Sequence, residues 1–459
     1  MPADRDAAAD NSARHAPGTG WRDSAAAYLR PRVVAMLFLG FSAGLPFLLV
    51  FSTLGAWLTQ AGTSRTAIGY FAWIGITYSV KFLWSPLIDR LSIPVATRLL
   101  GKRRSWMLAG QIGIAAGLVG MAFTDPAVNL TQMAWLALLV AFSSATQDVS
   151  IDAWRIEAVD ERMQGPMAGA YQTGYRLALL ASGAGALFIA SDASWPAAYL
   201  TMAALVGVGI VTVLLIGEPE VDPEVVRARE RDYLETIARL VPETRSMGAA
   251  GRWFFGAVVC PFLDFFRKAG LFSLVILAFI SVYRISDLVM GSMANPFYLD
   301  LGFTLEQIAA IAKVFGIAMT ILGAAIGGAL VLRYGAVKML LPGAVLVSVT
   351  NLLFAWLATL GPEVGMLVVT ISADNLSAGF AGSVFIAYLS NLTSPGYTAT
   401  QYALFSSLMT LLGKFVSGFS GVIVDAWDYQ AFFLYAAVMG VPAIVLAIVI
   451  ARRDRMPSS

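Results

Sequence analysis

The stretch VVAMLFLGFSAGLPFLLVFSTLGAWLT, residues 33–59, contains no charged side chain. A helix needs about 20 mostly apolar residues to cross the hydrocarbon core of a bilayer, and this stretch exceeds that length. Apolar residues make up 58% of the whole chain and charged residues 13%, whereas soluble domains average about 45–50% and about 25%. The composition therefore predicts that lipid is the solvent for most of this chain.

Eleven more stretches have the length and composition of a membrane-spanning helix. Six of the twelve lie before residue 217 and six after residue 269. We therefore predict an all-α membrane protein of twelve transmembrane helices in two six-helix bundles. The predicted spans cover residues 33–59, 66–88, 106–124, 132–154, 166–190, 196–216, 270–298, 307–332, 338–359, 364–390, 400–424 and 430–450.

The lysines and arginines outside the spans support this count. The tail before the first span holds five arginines, the loop after the second span holds five cations, and the loop after the sixth holds eight. The loops on the other side contain one cation, Arg65. Positive residues favour the cytoplasmic side of a membrane, so we predict that both termini are cytoplasmic.

The polar segments divide the chain. The N-terminal segment lacks the apolar core of a signal peptide. Between the bundles, Val225–Val241 has the periodicity of an amphipathic surface helix, and Trp253–Phe266 favours an interfacial helix over a re-entrant hairpin. The predicted domains are a disordered cytoplasmic tail (1–32), the N-terminal bundle (33–216), a cytoplasmic central loop (217–269), the C-terminal bundle (270–450) and a second cytoplasmic tail (451–459).

The two halves of the chain resemble each other weakly. SGAGA at residues 182–186 and SGFSG at residues 417–421 each precede an acidic turn and an aromatic restart. Gly62–Ile68 and Gly302–Ile308 are also similar, at nearly the same offset. Parallel repeats with a binding site near the midplane between them are one architecture of secondary transporters. The alternative is a chance likeness between helices rich in small residues.

Several charged side chains fall inside the predicted spans, where each costs at least about 2.5 kcal/mol on insertion scales. Side chains at this cost are placed where a cavity or a partner accommodates them. They are too many for a lipid anchor or a scaffold, and we predict that they line a wet passage. They are Lys81, Asp148, Asp152, Arg176, Arg284, Asp287, Lys313, Asp374 and Lys414.

Helical spacing brings some of these side chains together. Asp148 and Asp152 are four residues apart and share a helix face, and Arg284 can pair with Asp287 three residues later. The charged residues have two interpretations: they contact a solute, or they form buried ion pairs. For tyrosines such as Tyr175, the alternative to solute contact is packing. The residues predicted to contact a solute are Lys81, Gln172, Tyr175, Arg176, Arg284, Asp287 and Lys414.

The loop after the second span reads SPLIDR at residues 85–90, followed by GKRR at residues 101–104. It resembles the signature between the second and third helices of the major facilitator superfamily, although Ser85-Pro86 replaces the usual glycine and an insert precedes Gly101. The resemblance implies a cytoplasmic charge latch that holds the halves in one of two states. Its predicted gating residues are Asp89, Arg90, Lys102, Arg103 and Arg104.

A closer resemblance rests on the strings GFSAGLP (40–46), KFLWSPLIDR (81–90), KRRSW (102–106), SATQDVSIDAW (144–154) and GYR (174–176). These look like the AmpG-type muropeptide permeases. The resemblance is strong over residues 33–220 and mainly architectural beyond residue 270. The eukaryotic acetyl-CoA carriers share much of the pattern, so the strings alone do not name the solute.

The resemblance implies proton-coupled import of anhydromuropeptides across the bacterial inner membrane for peptidoglycan recycling, by a monomer without a cofactor. The only histidine, His15, lies in the polar tail, so a coupling proton would travel on a carboxylate. Buried carboxyl groups can take up protons near neutral pH. We predict Asp148, Asp152 and Asp374 for this role; the alternative for Asp374 is a structural hydrogen bond.

Other functions are compatible with the same fold. The solute could instead be another organic anion, a nucleotide-like molecule or a drug. A membrane enzyme is disfavoured because the outer loops are short and hold only scattered acidic residues, and one cysteine with one histidine provides no Cys/His metal site. Nothing in the charge distribution indicates a nucleic-acid partner.

Overall fold

The computed structural model of this chain describes residues 25–63, 67, 71–220, 224, 231, 248, 259–304, 307–417 and 419–454. All regular secondary structure in these residues is helical. The predicted helix over Val225–Val241 lies, apart from Arg231, outside the described residues. Most of the predicted tail of residues 1–32 and the side chain of Lys313 also lie outside them.

Eleven helical segments among the described residues are long and apolar enough to cross a membrane. We number the spans 1 to 12 along the chain. In the N-terminal half the helices are Pro31–Leu49 and Ser52–Gln60 (span 1), Lys102–Ala122 (span 3), Leu130–Glu157 (span 4), Gln164–Leu180, Ala181–Gly185 and Ala186–Asp192 (span 5), and Trp195–Leu215 (span 6).

Span 2 is irregular. Its described part consists of four short helical pieces, and Pro86 sits in the first turn of the last one, where a missing N–H is tolerated. These pieces bring the number of spans to twelve, with the bounds Ala72–Gly75, Ile76–Ser79, Lys81–Leu83 and Ser85–Arg90.

The C-terminal half begins with a short helix, Cys260–Ala269, which we call the linker helix because it ends the central loop. The six spans follow it. Their helices are Phe272–Val282 and Ile285–Asp300 (span 7), Ile308–Phe315 and Gly316–Tyr334 (span 8), Ala336–Leu360 (span 9), Val364–Asn391 (span 10), Thr398–Ser417 and Ser420–Ala426 (span 11), and Tyr429–Met439 and Val441–Asp454 (span 12).

The halves meet where spans 5 and 8 cross and where spans 2 and 4 pack on span 11. We call the end of the bundles that carries the loops after the even-numbered spans the basic face, because most lysines and arginines outside the spans belong to it. Near this face, a carbon atom added at Gly165 would lie 2.6 Å from the Gly328 carbonyl oxygen. The hydroxyl of Tyr28 donates a hydrogen bond to the Ala325 carbonyl over 2.7 Å.

Small residues let the spans approach closely inside each half. A side chain added at Gly44 on span 1 would lie 2.7 Å from the carbonyl oxygen of Tyr175 on span 5, and Gly40 is pressed against Tyr171 in the same way. In the other half, Gly327 on span 8 has the same relation to Phe380 on span 10. Close backbone approach of this kind supplies the packing energy that apolar burial cannot supply in lipid.

We expect Gly44→Leu to wedge spans 1 and 5 apart and to lower the free energy of unfolding by about 1–3 kcal/mol, the usual cost of overpacking. Gly207→Leu is the matched control, because a carbon added at Gly207 would meet nothing within 4 Å. Thermal denaturation of both purified variants in detergent measures the difference. Equal melting temperatures would contradict the close-packing account.

Candidate translocation site and gate

Four charged side chains from spans 5, 7 and 10 converge between the halves, and we call them the central charge cluster: Arg176, Arg284, Asp287 and Asp374. Arg284 and Asp287 form an ion pair in which the side chains stay 28% and 16% exposed. Arg176 interacts electrostatically with both of them, and Asp374 does so as well. The sequence-based pairing of Arg284 with Asp287 is confirmed, and the remaining exposure shows that the space around the pair is not filled by protein.

A break in span 7 positions this cluster. The first helix of the span ends at Val282 and the second begins at Ile285, so Arg284 lies at the junction. Just before it, the ring of Tyr283 stacks on Phe385 with the ring centroids 4.2 Å apart. The junction is therefore anchored to span 10, while Arg284 pairs with Asp287 on its own span and interacts electrostatically with Arg176 of span 5.

The second group of charges lies on spans 2 and 4. The carboxylate of Asp152 is 4.0 Å from Lys81 Nζ and 3.4 Å from Arg155 Nη2, so it is paired on both sides. Asp148 interacts electrostatically with Lys81 and Asp152, but its Oδ1 is buried and accepts no hydrogen bond from the described part of the chain. Asp148 and Asp152, which share a helix face, thus differ: Asp152 is paired with two cations, whereas Oδ1 of Asp148 has no hydrogen-bond donor among the described residues.

Span 5 connects the two groups. Tyr175 interacts electrostatically with Asp148 on one side and with Arg176 on the other. One turn earlier, Gln172 Nε2 donates a hydrogen bond to Ser383 Oγ over 2.7 Å, which joins span 5 to span 10. Gln172 therefore lies at the boundary between the halves and holds it together, whereas Tyr175 connects the two groups of charges.

The two predicted lysines occupy different places. Lys81 is buried beside Asp152 in the second group of charges. Lys414 lies on span 11 with its side chain exposed, and its Nζ donates to Ser79 Oγ on span 2 over 3.3 Å. The structure therefore does not bring Lys414 next to the central charge cluster through any contact among the described residues.

Arg155 joins the halves on the side of the charged groups that is nearer the basic face. Its guanidinium is fully buried and donates to Ser390 Oγ on span 10 over 2.7 Å. The same group lies over the ring of Tyr402 on span 11, 5.0 Å from the centroid. Through its pairing with Asp152, Arg155 connects the charged interior to the contact between the halves at the basic face.

The predicted latch residue Asp89 crosses the boundary at the basic face. Its carboxylate accepts hydrogen bonds from the backbone N–H of Thr400 over 2.8 Å and of Ala399 over 3.3 Å, and from the Thr400 hydroxyl over 2.7 Å. These groups form the first turn of span 11, where free N–H groups and the helix dipole favour an anion. A carboxylate of one half thus caps a helix of the other.

Arg103 neutralises this carboxylate. Its Nη2 lies 2.8 Å from Asp89 and 2.6 Å from Glu157, the last residue of span 4, and its Nε donates to Glu157 over 2.9 Å. Glu218, just after span 6, accepts from the backbone N–H of Arg103 over 2.7 Å and of Arg104 over 3.1 Å. We call Asp89, Arg103, Glu157 and the first turn of span 11 the gate.

The other predicted gating residues surround this gate. Lys102 Nζ donates to the Asp89 carbonyl over 2.7 Å. Arg104 donates to the carbonyl groups of Val213 and Leu214 at the end of span 6. Arg90 is half-buried on the same short helix as Asp89. The basic cluster therefore divides into one arginine inside the gate and cations that support the helices around it.

A small apolar contact lies behind the gate. Ile88, Val149 and Ala153 of the N-terminal half pack against Ala399 and Ala403 of span 11, and all five are buried. The contact is made of short side chains, so it depends on close approach of the halves. Separation of the halves at the basic face would expose it.

Sequence reasoning missed several of these residues. Glu157, Thr400 and Ser390 complete the polar contacts of Arg103, Asp89 and Arg155, yet none of them stands out in the chain. The available signal was indirect: a buried arginine next to several other cations requires carboxylates, and Glu157 ends the span that carries Asp148 and Asp152. Thr400 had no signal, because one of its two donors is a backbone N–H and both act on a carboxylate of the other half.

Two six-span halves that enclose charged groups and are joined by polar contacts at one face define a membrane transporter. The family model described as Major Facilitator Superfamily matches residues 36–418 and 275–459. The chain belongs to the major facilitator superfamily and, within it, to the AmpG permeases, as the following relatives show. The all-α fold with twelve spans predicted from the sequence is thereby confirmed.

Two relatives illustrate the family membership. The anhydromuropeptide permease of Escherichia coli K12 is 33% identical over 424 residues, which cover 92% of this chain and 80% of the relative. The putative transporter AmpG 4 of Rickettsia conorii is 31% identical over 417 residues, which cover 90% of this chain and 95% of the relative. The similarity extends over both halves, including the part beyond residue 270.

Solved structures agree on the fold. The proton:xylose symporter XylE, solved with a bromodeoxyglucose, superposes with a TM-score of 0.63 at 14% identity and covers 90% of this chain, with 93% of its own chain matched. FucP in the outward conformation superposes with a TM-score of 0.62 at 15% identity, covering 94% of this chain and all of that one. At this identity the likeness concerns architecture alone.

We expect Asp89→Asn to loosen the gate, because it removes the charge that Arg103 and the first turn of span 11 share. Ala403→Cys provides the reporter, since Ala403 is buried behind the gate. In everted membrane vesicles, the rate of labelling by an impermeant maleimide should rise at least about tenfold, which corresponds to about 1.4 kcal/mol. Asp192→Asn, an exposed carboxylate at the opposite face, is the control; an equal rate in both variants would refute the latch.

Proposed function

We propose that the chain imports anhydromuropeptides, GlcNAc-anhydroMurNAc and its peptides, across the bacterial inner membrane together with protons for peptidoglycan recycling. It works as a monomeric carrier and not as an enzyme, with both termini and the basic face in the cytoplasm. The relationship to an anhydromuropeptide permease supports this solute class. The cations and aromatic rings between the halves suit a sugar that carries carboxylates.

The observation that carries the proposal is the position of Arg176. It is half-buried between the halves and has no carboxylate within ion-pair distance among the described residues, whereas Arg284 is already paired with Asp287. A solute carboxylate can supply that missing partner with two parallel hydrogen bonds. Tyr175, the adjacent residue, offers an aromatic ring for a sugar face.

The pairing pattern also separates the candidate proton carriers. Protonation of Asp152 would weaken its pairs with both Lys81 and Arg155, whereas protonation of Asp148 breaks no ion pair within 4 Å. Asp148 is therefore the preferred proton carrier, and Asp152 holds Arg155 in place. Asp374 interacts with the Arg284–Asp287 pair and is the carboxylate that would sense the solute directly.

Asp148→Asn should abolish accumulation of labelled GlcNAc-anhydroMurNAc driven by a proton gradient, because the amide cannot carry a proton. Exchange of labelled for unlabelled solute across proteoliposomes should persist, since exchange needs no net proton movement. Asp192→Asn is the control with unchanged accumulation. If Asp148→Asn protein still accumulates the solute normally, and only the Asp152→Asn variant makes uptake insensitive to an uncoupler, the assignment of the proton to Asp148 is wrong.

Arg176→Gln should weaken solute binding by at least about tenfold, since a hydrogen bond to a charged group contributes about 1.5–3 kcal/mol. Binding of labelled GlcNAc-anhydroMurNAc to purified protein measures this loss directly. Arg452→Gln, an exposed cation at the end of span 12, serves as the control. Unchanged affinity in Arg176→Gln protein would show that the solute carboxylate lies elsewhere.

A carrier of another organic anion would use the same free cation. Competition by unlabelled nucleotides, dicarboxylates and acyl-CoA compounds in the uptake assay separates this alternative from the proposed one. If one of these compounds inhibits uptake of labelled muropeptide at a far lower concentration than unlabelled muropeptide does, the alternative is favoured.

A further inference from the structure

The linker helix has no role in the functions described so far, yet it is attached to the gate. It covers Cys260–Ala269, lies directly before span 7 and ends at Gly270, whose φ of 58° turns the chain into the span. The sequence predicted an interfacial helix in this region. The contacts of its one aspartate indicate a more specific purpose.

Asp264 projects from the linker helix into a buried polar cluster. The side chain is only 1% exposed. Its Oδ2 accepts a hydrogen bond from Gln401 Nε2 over 2.9 Å and another from the hydroxyl of Ser394. Lys268, one turn further along the linker helix, donates to the same hydroxyl. A carboxylate buried to this degree is tolerated only when such partners are present.

Gln401 is the centre of this cluster. Its amide nitrogen also donates to the Pro261 carbonyl of the linker helix over 2.9 Å. Its amide oxygen accepts from the backbone N–H of Ser394 over 2.7 Å. One side chain therefore ties the linker helix, the loop before span 11 and the first turn of span 11 together.

The same turn of span 11 is the receiving part of the gate. Thr400 donates its N–H and its hydroxyl to Asp89 of the N-terminal half, and Gln401 is the next residue along the helix. Adjacent residues of one helical turn are thus held by two carboxylates, Asp89 from the opposite half and Asp264 from the linker helix. The orientation of this turn decides whether Asp89 can reach both N–H groups.

We propose that Asp264 is a positioning residue of the gate: it fixes the first turn of span 11, through Gln401 and Ser394, in the orientation that receives Asp89. The proposal rests on the gating role of Asp89 and extends it to the end of the central loop. In this arrangement, release of the linker helix lets the turn rotate, Asp89 loses its N–H donors, and the basic face opens.

The chain carries its own reporter for this device. Cys260, the only cysteine, is the first residue of the linker helix and is fully buried, so its labelling by an impermeant maleimide reports release of the helix. Labelling at Ala403→Cys reports opening of the gate in the same molecule. Peptide mapping by mass spectrometry separates the two sites, and neither readout depends on the transported solute.

In everted membrane vesicles, we expect Asp264→Asn to raise the labelling rates of Cys260 and of the Ala403→Cys reporter at least threefold each. Asp428→Asn is the matched control, because Asp428 caps the helix Tyr429–Met439 at the opposite face; it should change neither rate. Faster labelling of Cys260 with an unchanged rate at the reporter would overturn the proposal, since the helix would then be released without effect on the gate.

A double variant separates positioning from general loosening. If Asp264 acts through the turn that receives Asp89, Asp89→Asn combined with Asp264→Asn should label the reporter no faster than Asp89→Asn alone. Rates that multiply would show independent effects and overturn the proposal. Gln401→Met, which removes the amide but keeps the length of the side chain, tests the same step and replaces Asp264→Asn if that protein does not fold.

Discussion

A charged side chain within the depth of a bilayer needs a partner or water, and that requirement governs how the two halves of this protein are arranged. The charged side chains of spans 2, 4, 5, 7 and 10 lie at or near the boundary between the halves. The outer surfaces of the spans present side chains such as Phe188, Leu215 and Phe415, which are mostly exposed and suit lipid. Separation of charge from lipid, and not apolar burial, thus decides which helix face turns inward.

At the basic face, the free N–H groups at helix ends also need partners. Glu218 accepts hydrogen bonds from the first N–H groups of span 3, and Asp89 accepts them from the first N–H groups of span 11. The side chain of Arg103, the second residue of span 3, pairs with Asp89 and Glu157 and offsets their charge. Each charged group is buried only because its neighbours compensate its charge. Removal of one member would leave another charge buried without a partner and would lower the stability of the gate.

The sequence was informative about features that depend on residues close together in the chain. Span lengths follow from hydropathy, the placement of cations supports their number, and Arg284 with Asp287 could be paired because three residues separate them. Contacts between distant parts of the chain had no such rule. Asp89 meets Thr400 across 311 positions, and Asp264 meets Gln401 across 137. The breaks in spans 2 and 7 were equally hidden, because packing of neighbouring helices compensates for lost helical hydrogen bonds.

The junction in span 7 divides that helix into two parts with different neighbours. Before it, Tyr283 stacks on Phe385 of span 10 and its hydroxyl donates to the Leu340 carbonyl of span 9. After it, Ser286 donates to the Ala436 carbonyl of span 12 and accepts a hydrogen bond from Asn351 of span 9. Arg284 stands at the joint between the two parts. A solute carboxylate bound at Arg176 would act electrostatically on Arg284, so occupancy of the site would be felt where the two parts of span 7 meet.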